Sequence, residues 1–142
     1  MLSILEQEKE LDVKQKQKNV KEFFEKELPI IMIRAHTSYI DLESPLIDDM
    51  PKVKHNDNTT DTKLTVYMQS KIWLSQILEA MQAVPERPRA FLKYQYLQRL
   101  KWLEIEDITG YSSRSGLHFL NQGFISFANA FVDIYDFRAW LN

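Results

Sequence analysis

A run of polar side chains in the last third of the chain has the residue types that contact with double-stranded DNA requires. Arg114 can bridge a guanine and Gln122 an adenine, while serine hydroxyls and the His118 ring can hydrogen-bond to bases or phosphates. An exposed Phe119 can contact a thymine methyl group. Arg114 is the strongest base-reading candidate, since it is the only arginine of the run. The predicted DNA-contacting side chains here are Ser113, Arg114, Ser115, His118, Phe119 and Gln122.

The same run predicts an amphipathic helix. At about 100° per residue, Leu117, Leu120 and Phe124 cluster on one side, and the polar set lies away from them. For each polar residue the alternative is an ordinary solvated helix face, and the sequence alone leaves both interpretations open.

Basic residues that precede this helix are candidates for phosphate contacts. Residues 86–127 contain six basic and four acidic side chains, whereas the whole chain has a net charge of −2. Because phosphate neutralisation supplies most non-specific affinity for DNA, we expect one copy to bind weakly and an oligomer to compensate. The predicted phosphate contacts are Arg87, Arg89, Lys93 and Lys101.

The segment just before the polar run has the elements that would position it. Residues 102–109 have the pattern of a short amphipathic helix, and Gly110 follows where helices often end in the left-handed conformation. Tyr111 can fill the space between two helices, and Ser112 or Ser113 can cap the next one. This order predicts a helix-turn-helix.

The N-terminal half is predicted to be a helical arm followed by a loop. Residues 1–28 form a broken amphipathic helix that Pro29 ends or bends, and residues 30–33 fit either a short strand or a helix. A polar cluster marks the loop. The expected organisation is an N-terminal helical arm (1–44), a linker loop (45–61) and a helix-turn-helix DNA-binding domain with a C-terminal helical extension (62–142).

Two more helices are predicted between the loop and residue 102. The first is capped by Thr60 or Asp61 and runs to about residue 83, where Pro85 and Pro88 break it. The second covers residues 89–99. With 3 Gly and 5 Pro in 142 residues, the chain has few turn formers, so we expect an all-α fold of five or six helices.

Several classes of site and location are excluded or disfavoured by composition. The chain has no Cys, which excludes disulfides and thiolate metal sites. His36, His55 and His118 share no metal-binding spacing with carboxylates, and no Gly-rich phosphate loop occurs. We therefore expect no enzyme activity, metal or cofactor. No apolar run approaches the ~20 residues of a membrane span and no signal peptide is visible, so we expect a cytoplasmic protein without a membrane partner.

The C-terminal segment is unusually aromatic. It either folds back on the core of its own chain or forms an oligomer interface, because exposed apolar patches normally mark contacts. For an interface, the candidate residues are Phe131, Tyr135 and Trp140. The amphipathic N-terminal helix around Val20 and Phe23 is the second candidate surface.

Three stretches between residues 89 and 130 resemble a known family. Phe-Leu-Lys-Tyr-Gln-Tyr-Leu, then Leu-Lys-Trp-Leu-Glu-Ile-Glu-Asp-Ile-Thr-Gly-Tyr-Ser, then Leu-Asn-Gln-Gly-Phe-Ile-Ser-Phe-Ala are similar to the ArpU/RinA type of phage transcriptional regulators. The resemblance covers residues 45–130 in outline, and it implies a helix-turn-helix like that of sigma-factor region 4. Two features depart from the family: Gly116 and Gly123 lie inside the recognition helix, and Arg114 is its only Lys or Arg.

The resemblance implies activation of the late packaging and lysis genes of a phage or related mobile element. The expected partners are promoter DNA, RNA polymerase and further copies of the chain. Two other functions remain open. One is a protein-interaction module that binds RNA polymerase or a regulator without productive DNA binding. The other is a small-terminase-like packaging subunit.

Overall fold

Every regular element in residues 4–38 and 58–137, which the computed structural model describes, is a helix. The all-α prediction is therefore confirmed for this part of the chain. The helices are α1 (Ile4–Glu22), which continues through a π-helical turn (Phe23–Glu27) into α2 (Leu28–Arg34), then α3 (Asn58–Gln82), α4 (Glu86–Leu92) with a following π-helical turn (Lys93–Leu97), α5 (Trp102–Thr109) and α6 (Ser113–Ala130).

Pro29 does not end the N-terminal helix, which continues from α1 through the π-helical turn into α2. In the π-helical turn before it, the Leu28 N–H donates to the Phe23 carbonyl. This wider turn gives room for the proline ring, which in a regular helix interior meets the carbonyl of the preceding turn. Residues 30–33, which the sequence left between strand and helix, are helical. Of the predicted linker loop at 45–61, residues 45–57 lie outside the described residues. Residues 58–61 are helical, because α3 begins at Asn58, before the predicted caps Thr60 and Asp61.

The prolines between α3 and α4 have different roles. Pro85 is the N-cap of α4, and its carbonyl accepts the Arg89 N–H at 2.9 Å. Pro88 lies inside the first turn of α4, where no intrahelical donor is lost, so it does not break the helix. Because of this, α4 begins at Glu86, three residues earlier than predicted. The helical segment that begins with α4 ends at Leu97, and Arg99 has a φ of +55°.

The core is rich in aromatic side chains where α1 and α4 pack on α6. Phe24 lies 5.2 Å from Tyr96 and 4.8 Å from Phe127, measured between ring centroids. Burial, and then the negative charge of Glu25, raise the pKa of the Tyr96 hydroxyl. The largest fully buried side chains are Phe24, Phe91, Phe124, Phe127, Phe137, Leu28, Leu74, Ile77, Met81, Leu92, Ile105 and Val20.

The C-terminal segment folds back on this core as far as residue 137. Phe137 is 1% exposed and packs against Phe23 and Phe131, and its carbonyl accepts a hydrogen bond from buried Asn19. Of the two interpretations of the aromatic segment, this placement favours the one in which it completes its own core.

Two glycines of α6 allow a close approach of the neighbouring helices. A Cβ atom built at Gly116 would overlap the ring of Trp102 and stand 3.0 Å from Cε1 of Phe91. At Gly123, a Cβ would lie 3.1 Å from Leu92. The glycines are seven residues, or two turns, apart and lie on one face of α6. This contact explains why they occur inside a helix despite their low helix propensity.

We expect Gly116→Ala to lower the free energy of unfolding by about 1–2 kcal/mol. Overpacking costs about 1–3 kcal/mol and outweighs the gain of roughly 1 kcal/mol in helix propensity. Urea unfolding followed by circular dichroism measures the difference. Asn129→Ala, at an exposed position of the same helix, is the control and should leave stability unchanged or slightly raised. A Gly116→Ala protein as stable as the wild type would show that the Trp102 contact imposes no constraint.

Candidate nucleic-acid interface

A three-residue turn, Gly110 to Ser112, joins α5 to α6. Gly110 has a φ of +77° and its N–H donates to the Glu106 carbonyl at 2.8 Å, which confirms the predicted left-handed end of α5. Ser112 is the N-cap of α6, since its Oγ accepts a hydrogen bond from the Ser115 N–H at 3.3 Å. Both local features that the sequence indicated for this turn are present.

Tyr111 lies half-buried between α4 and α6. Its ring centroid is 6.1 Å from that of Phe91 and 5.1 Å from that of Phe119, both in edge-to-face geometry. These contacts hold the turn against the core, as the sequence predicted for this residue. They also fix the direction in which α6 leaves the turn.

Three of the predicted DNA-contacting side chains form an exposed strip on α6. Arg114, His118 and Gln122 follow one another at intervals of four residues, so they lie on one face of the helix. Gln122 Nε2 is 3.3 Å from His118 Nε2. Ser113 is exposed beside Arg114, and Ser115 is half-buried. The strip thus presents hydrogen-bonding groups along two turns of a helix.

The buried side of α6 is rotated from the predicted one. Leu117 was placed on the apolar face but is 49% exposed, and Phe119 was expected to be exposed but is half-buried. The ring of Phe119 stacks on Phe91 at 5.3 Å between centroids. The reason is that the helix packs through Gly116 and Gly123, and at about 100° per residue Phe119 lies only about 60° from Gly116.

Arg87 is the phosphate-contact candidate that the structure brings to this strip. Its guanidinium lies 5.3 Å from the ring centroid of Tyr111 and 5.6 Å from that of Phe119. A cation held over two aromatic faces loses much of its conformational freedom. Arg87, His118, Phe119 and Gln122 line one surface groove.

The other three candidate cations have different surroundings. Arg89 Nη1 donates to the carbonyl of Gln82 at 3.1 Å and to its side-chain Oε1 at 3.3 Å, so it ties α4 to the end of α3. Lys93 is half-buried in the π-helical turn, and Lys101 is exposed at the start of α5, where its N–H donates to Glu104 Oε1 at 3.2 Å. None of these three lines the groove beside the strip.

Two amide side chains of the groove were missed from the sequence. Gln17 on α1 and Asn121 on α6 both line the groove. Gln17 Nε2 donates a hydrogen bond to the backbone carbonyl of Asn121 at 3.4 Å. Gln17 belongs to a polar stretch that looked like an interruption of the amphipathic pattern of α1. What this polar stretch contacts depends on how α1 packs against α6, and the sequence of α1 alone does not predict that packing.

The outer face of α5 has a different character. Leu103 is 73% exposed and lies opposite the buried Ile105. Exposed carboxylates of Glu104, Glu106 and Asp107 lie around it. Such a surface would repel a phosphate backbone, so DNA contact through α6 has to leave this face of α5 turned away from the duplex.

The oligomer interface predicted for the C-terminal segment is only partly exposed to solvent. Phe131 is 3% exposed and belongs to the core, so its side chain is not free to contact another copy, whereas Tyr135 is 37% exposed. Trp140 lies outside the described residues. Within those residues no group of His, Asp and Glu side chains could hold a metal ion, and no helix is long and apolar enough to cross a membrane.

These features define an all-helical protein in which two helices joined by a tight turn present a polar strip to solvent. No protein-family model and no solved structure matches the chain. It is similar to a protein of Enterococcus hirae whose name, ArpU, denotes an autolysin regulatory protein. The two sequences are 29% identical over 125 residues, which cover 87% of this chain and 90% of the relative. This similarity supports an ArpU-like family over most of the chain.

Ser112 and Ser113 were equal cap candidates in the sequence, and the structure distinguishes them. We expect Ser112→Ala to lower the free energy of unfolding by about 1 kcal/mol, because the Ser115 N–H loses its acceptor. The matched variant Ser113→Ala should change stability by less than about 0.5 kcal/mol. Thermal and urea unfolding measure both. The reverse order of the two effects would show that α6 begins one residue later.

Proposed function

We propose that this chain is a sequence-specific DNA-binding transcriptional regulator whose helix α6 enters the major groove through its N-terminal half. The observation that carries the proposal is the exposed strip of Arg114, His118 and Gln122 on a helix that follows a glycine turn and a serine cap. In this mechanism α5 and α6 form a helix-turn-helix of the sigma-region-4 kind.

Arg114 has the position of the leading base-reading residue. It lies in the first turn of α6, where a recognition helix contacts base edges, and its guanidinium can form two hydrogen bonds to guanine. Gln122, two turns further along, can bond to adenine or to the backbone as the helix leaves the groove. Arg87 would meet a phosphate beside this contact, since its guanidinium is already held next to the strip.

The relative and the resemblance support one class of target genes. The name of the Enterococcus hirae protein assigns to it the regulation of an autolysin. Activation of the lysis and packaging genes of a phage or related mobile element is a target of the same kind. We therefore extend the proposal to late-gene activation, with RNA polymerase as the second partner.

A protein-interaction module is the second candidate function, and the outer face of α5 favours it. A leucine that is 73% exposed among three carboxylates suits a basic and apolar protein surface better than it suits DNA. In that case the chain would bind polymerase or another regulator, and α6 would serve the fold alone. The two functions differ in one direct observable, which is specific binding to a duplex.

The test is a mobility-shift titration with duplexes that tile the late promoter of the element carrying this gene, in the presence of random-sequence competitor. We expect Arg114→Ala to weaken specific binding by about 1–3 kcal/mol, or roughly 5- to 150-fold, while random duplex is little affected. Lys63→Ala removes an exposed cation on α3 and is the matched control, with no expected effect.

The other outcomes assign other roles. An equal loss on promoter and random duplex would make Arg114 a phosphate contact rather than a base contact. Unchanged binding would show that the strip on α6 does not face DNA. A wild-type protein that binds no duplex above the competitor level would leave the protein-interaction module as the better account.

A further inference from the structure

A largely apolar cleft lies on the side of the molecule formed by α2, α3 and the segment after α6. Its volume is about 500 Å³. Ile30 and Ile31 of α2, Trp73 of α3 and Ile134 after α6 are among its lining residues. This cleft is separate from the groove beside the polar strip, which is lined by α1, α4 and α6.

The apolar side chains around the cleft are unusually exposed. Ile30 is 48% exposed, Trp73 40% and Ile134 43%, and Ile33 on the same helix α2 reaches 74%. Single exposed apolar residues are ordinary on protein surfaces, but a contiguous group of large ones normally marks a contact with another molecule. The grouping of Ile30, Trp73 and Ile134 at one cleft therefore indicates a contact with another molecule.

The charged lining residues of the cleft lie symmetrically about the middle of α2, at its N-cap and at its last residue. Among the described residues that line it, the charged ones are Glu27 and Arg34. They are seven residues apart, so they lie on one face of the helix about two turns, or roughly 10 Å, from each other. The midpoint between them falls between Ile30 and Ile31. This face therefore has an acid at one end, a base at the other and isoleucines in the middle.

Such a face is complementary to itself when turned by a two-fold rotation. In an isologous interface, if residue i of one copy contacts residue j of the other, then j also contacts i. Two α2 helices packed antiparallel would bring Glu27 opposite Arg34 of the partner subunit, at both ends. The exposed Ile30 and the half-buried Ile31 would lie at the axis.

We propose that a second copy of this chain docks on this cleft, with the two α2 helices antiparallel about a two-fold axis near Ile30 and Ile31. Trp73 and Ile134 lie on the sides of the interface and are covered by the partner. The dimer contact is thus centred on α2, and Ile134 and Tyr135 of the segment after α6 lie at its edge.

This dimer leaves the polar strip on α6 free in both copies. Arg114 is in the first turn of α6 and Phe131, at the cleft, follows its last turn, which places them roughly 25 Å apart along the helix. The proposed dimer does not depend on whether the chain binds DNA. If α6 does bind DNA, two copies supply the second contact that a segment with so small an excess of basic residues requires.

Charge reversal at the two ends of α2 tests the proposal by sedimentation equilibrium without DNA. The wild type should be a dimer at micromolar concentrations. Glu27→Arg and Arg34→Glu should each weaken dimerisation at least about tenfold, because like charges would face each other at both ends. An equimolar mixture of the two variants should form heterodimers, and the double variant should dimerise again. Glu106→Arg, on the outer face of α5, is the control and should leave the dimer unchanged.

A folding defect cannot explain a recovery of dimers when the two variants are mixed. Circular dichroism of each variant verifies that its helices are formed. A single cysteine provides a second measurement, since the chain has none of its own. Ile30→Cys, next to the axis, should form an intermolecular disulfide on oxidation, and Leu103→Cys on α5 should not. A wild type that stays monomeric, a reversal that leaves the dimer intact, or a mixture without heterodimers would each overturn the proposal, and the cleft would then face a different partner.

Discussion

The close contact between α6 and the helices beneath it is the constraint on which the rest of the structure depends. Trp102 at the start of α5 and Phe91 of α4 lie against Gly116, while Leu92 lies against Gly123. Since Trp102 begins α5, the same contact fixes the position of α5 relative to α6. Side chains at either glycine position would move these helices apart and open the core around Phe124 and Phe127.

This contact also determines which side of α6 faces solvent. At about 100° per residue, Arg114 and His118 lie on the side of the helix opposite Gly116 and Gly123, and Gln122 lies about 100–120° from the two glycines. Burial of the glycine face therefore presents the polar strip outward. The packing that stabilises the domain and the exposure of the proposed DNA-contacting residues are two consequences of one helix orientation.

The sequence could predict the features that depend on local chemistry. The left-handed Gly110, the serine cap and the extent of α5 follow from backbone preferences that act over a few residues, and the structure agrees with them. The errors at Leu117 and Phe119 have a different origin. The buried face was located from large apolar side chains, whereas close helix packing is made by glycines, which do not contribute to an apolar pattern. Similarly, the continuation through Pro29 depends on a π-helical turn that no residue preference indicates.

The most direct test of the central claim is a comparison of amide chemical shifts of the isotope-labelled protein with and without its promoter duplex. At 16.9 kDa the chain is accessible to two-dimensional NMR. The account predicts perturbed amides in the N-terminal half of α6, from Ser113 to Gln122, and around Arg87, with the outer face of α5 near Leu103 unchanged. Perturbations confined to α5, or none on addition of duplex, would contradict it.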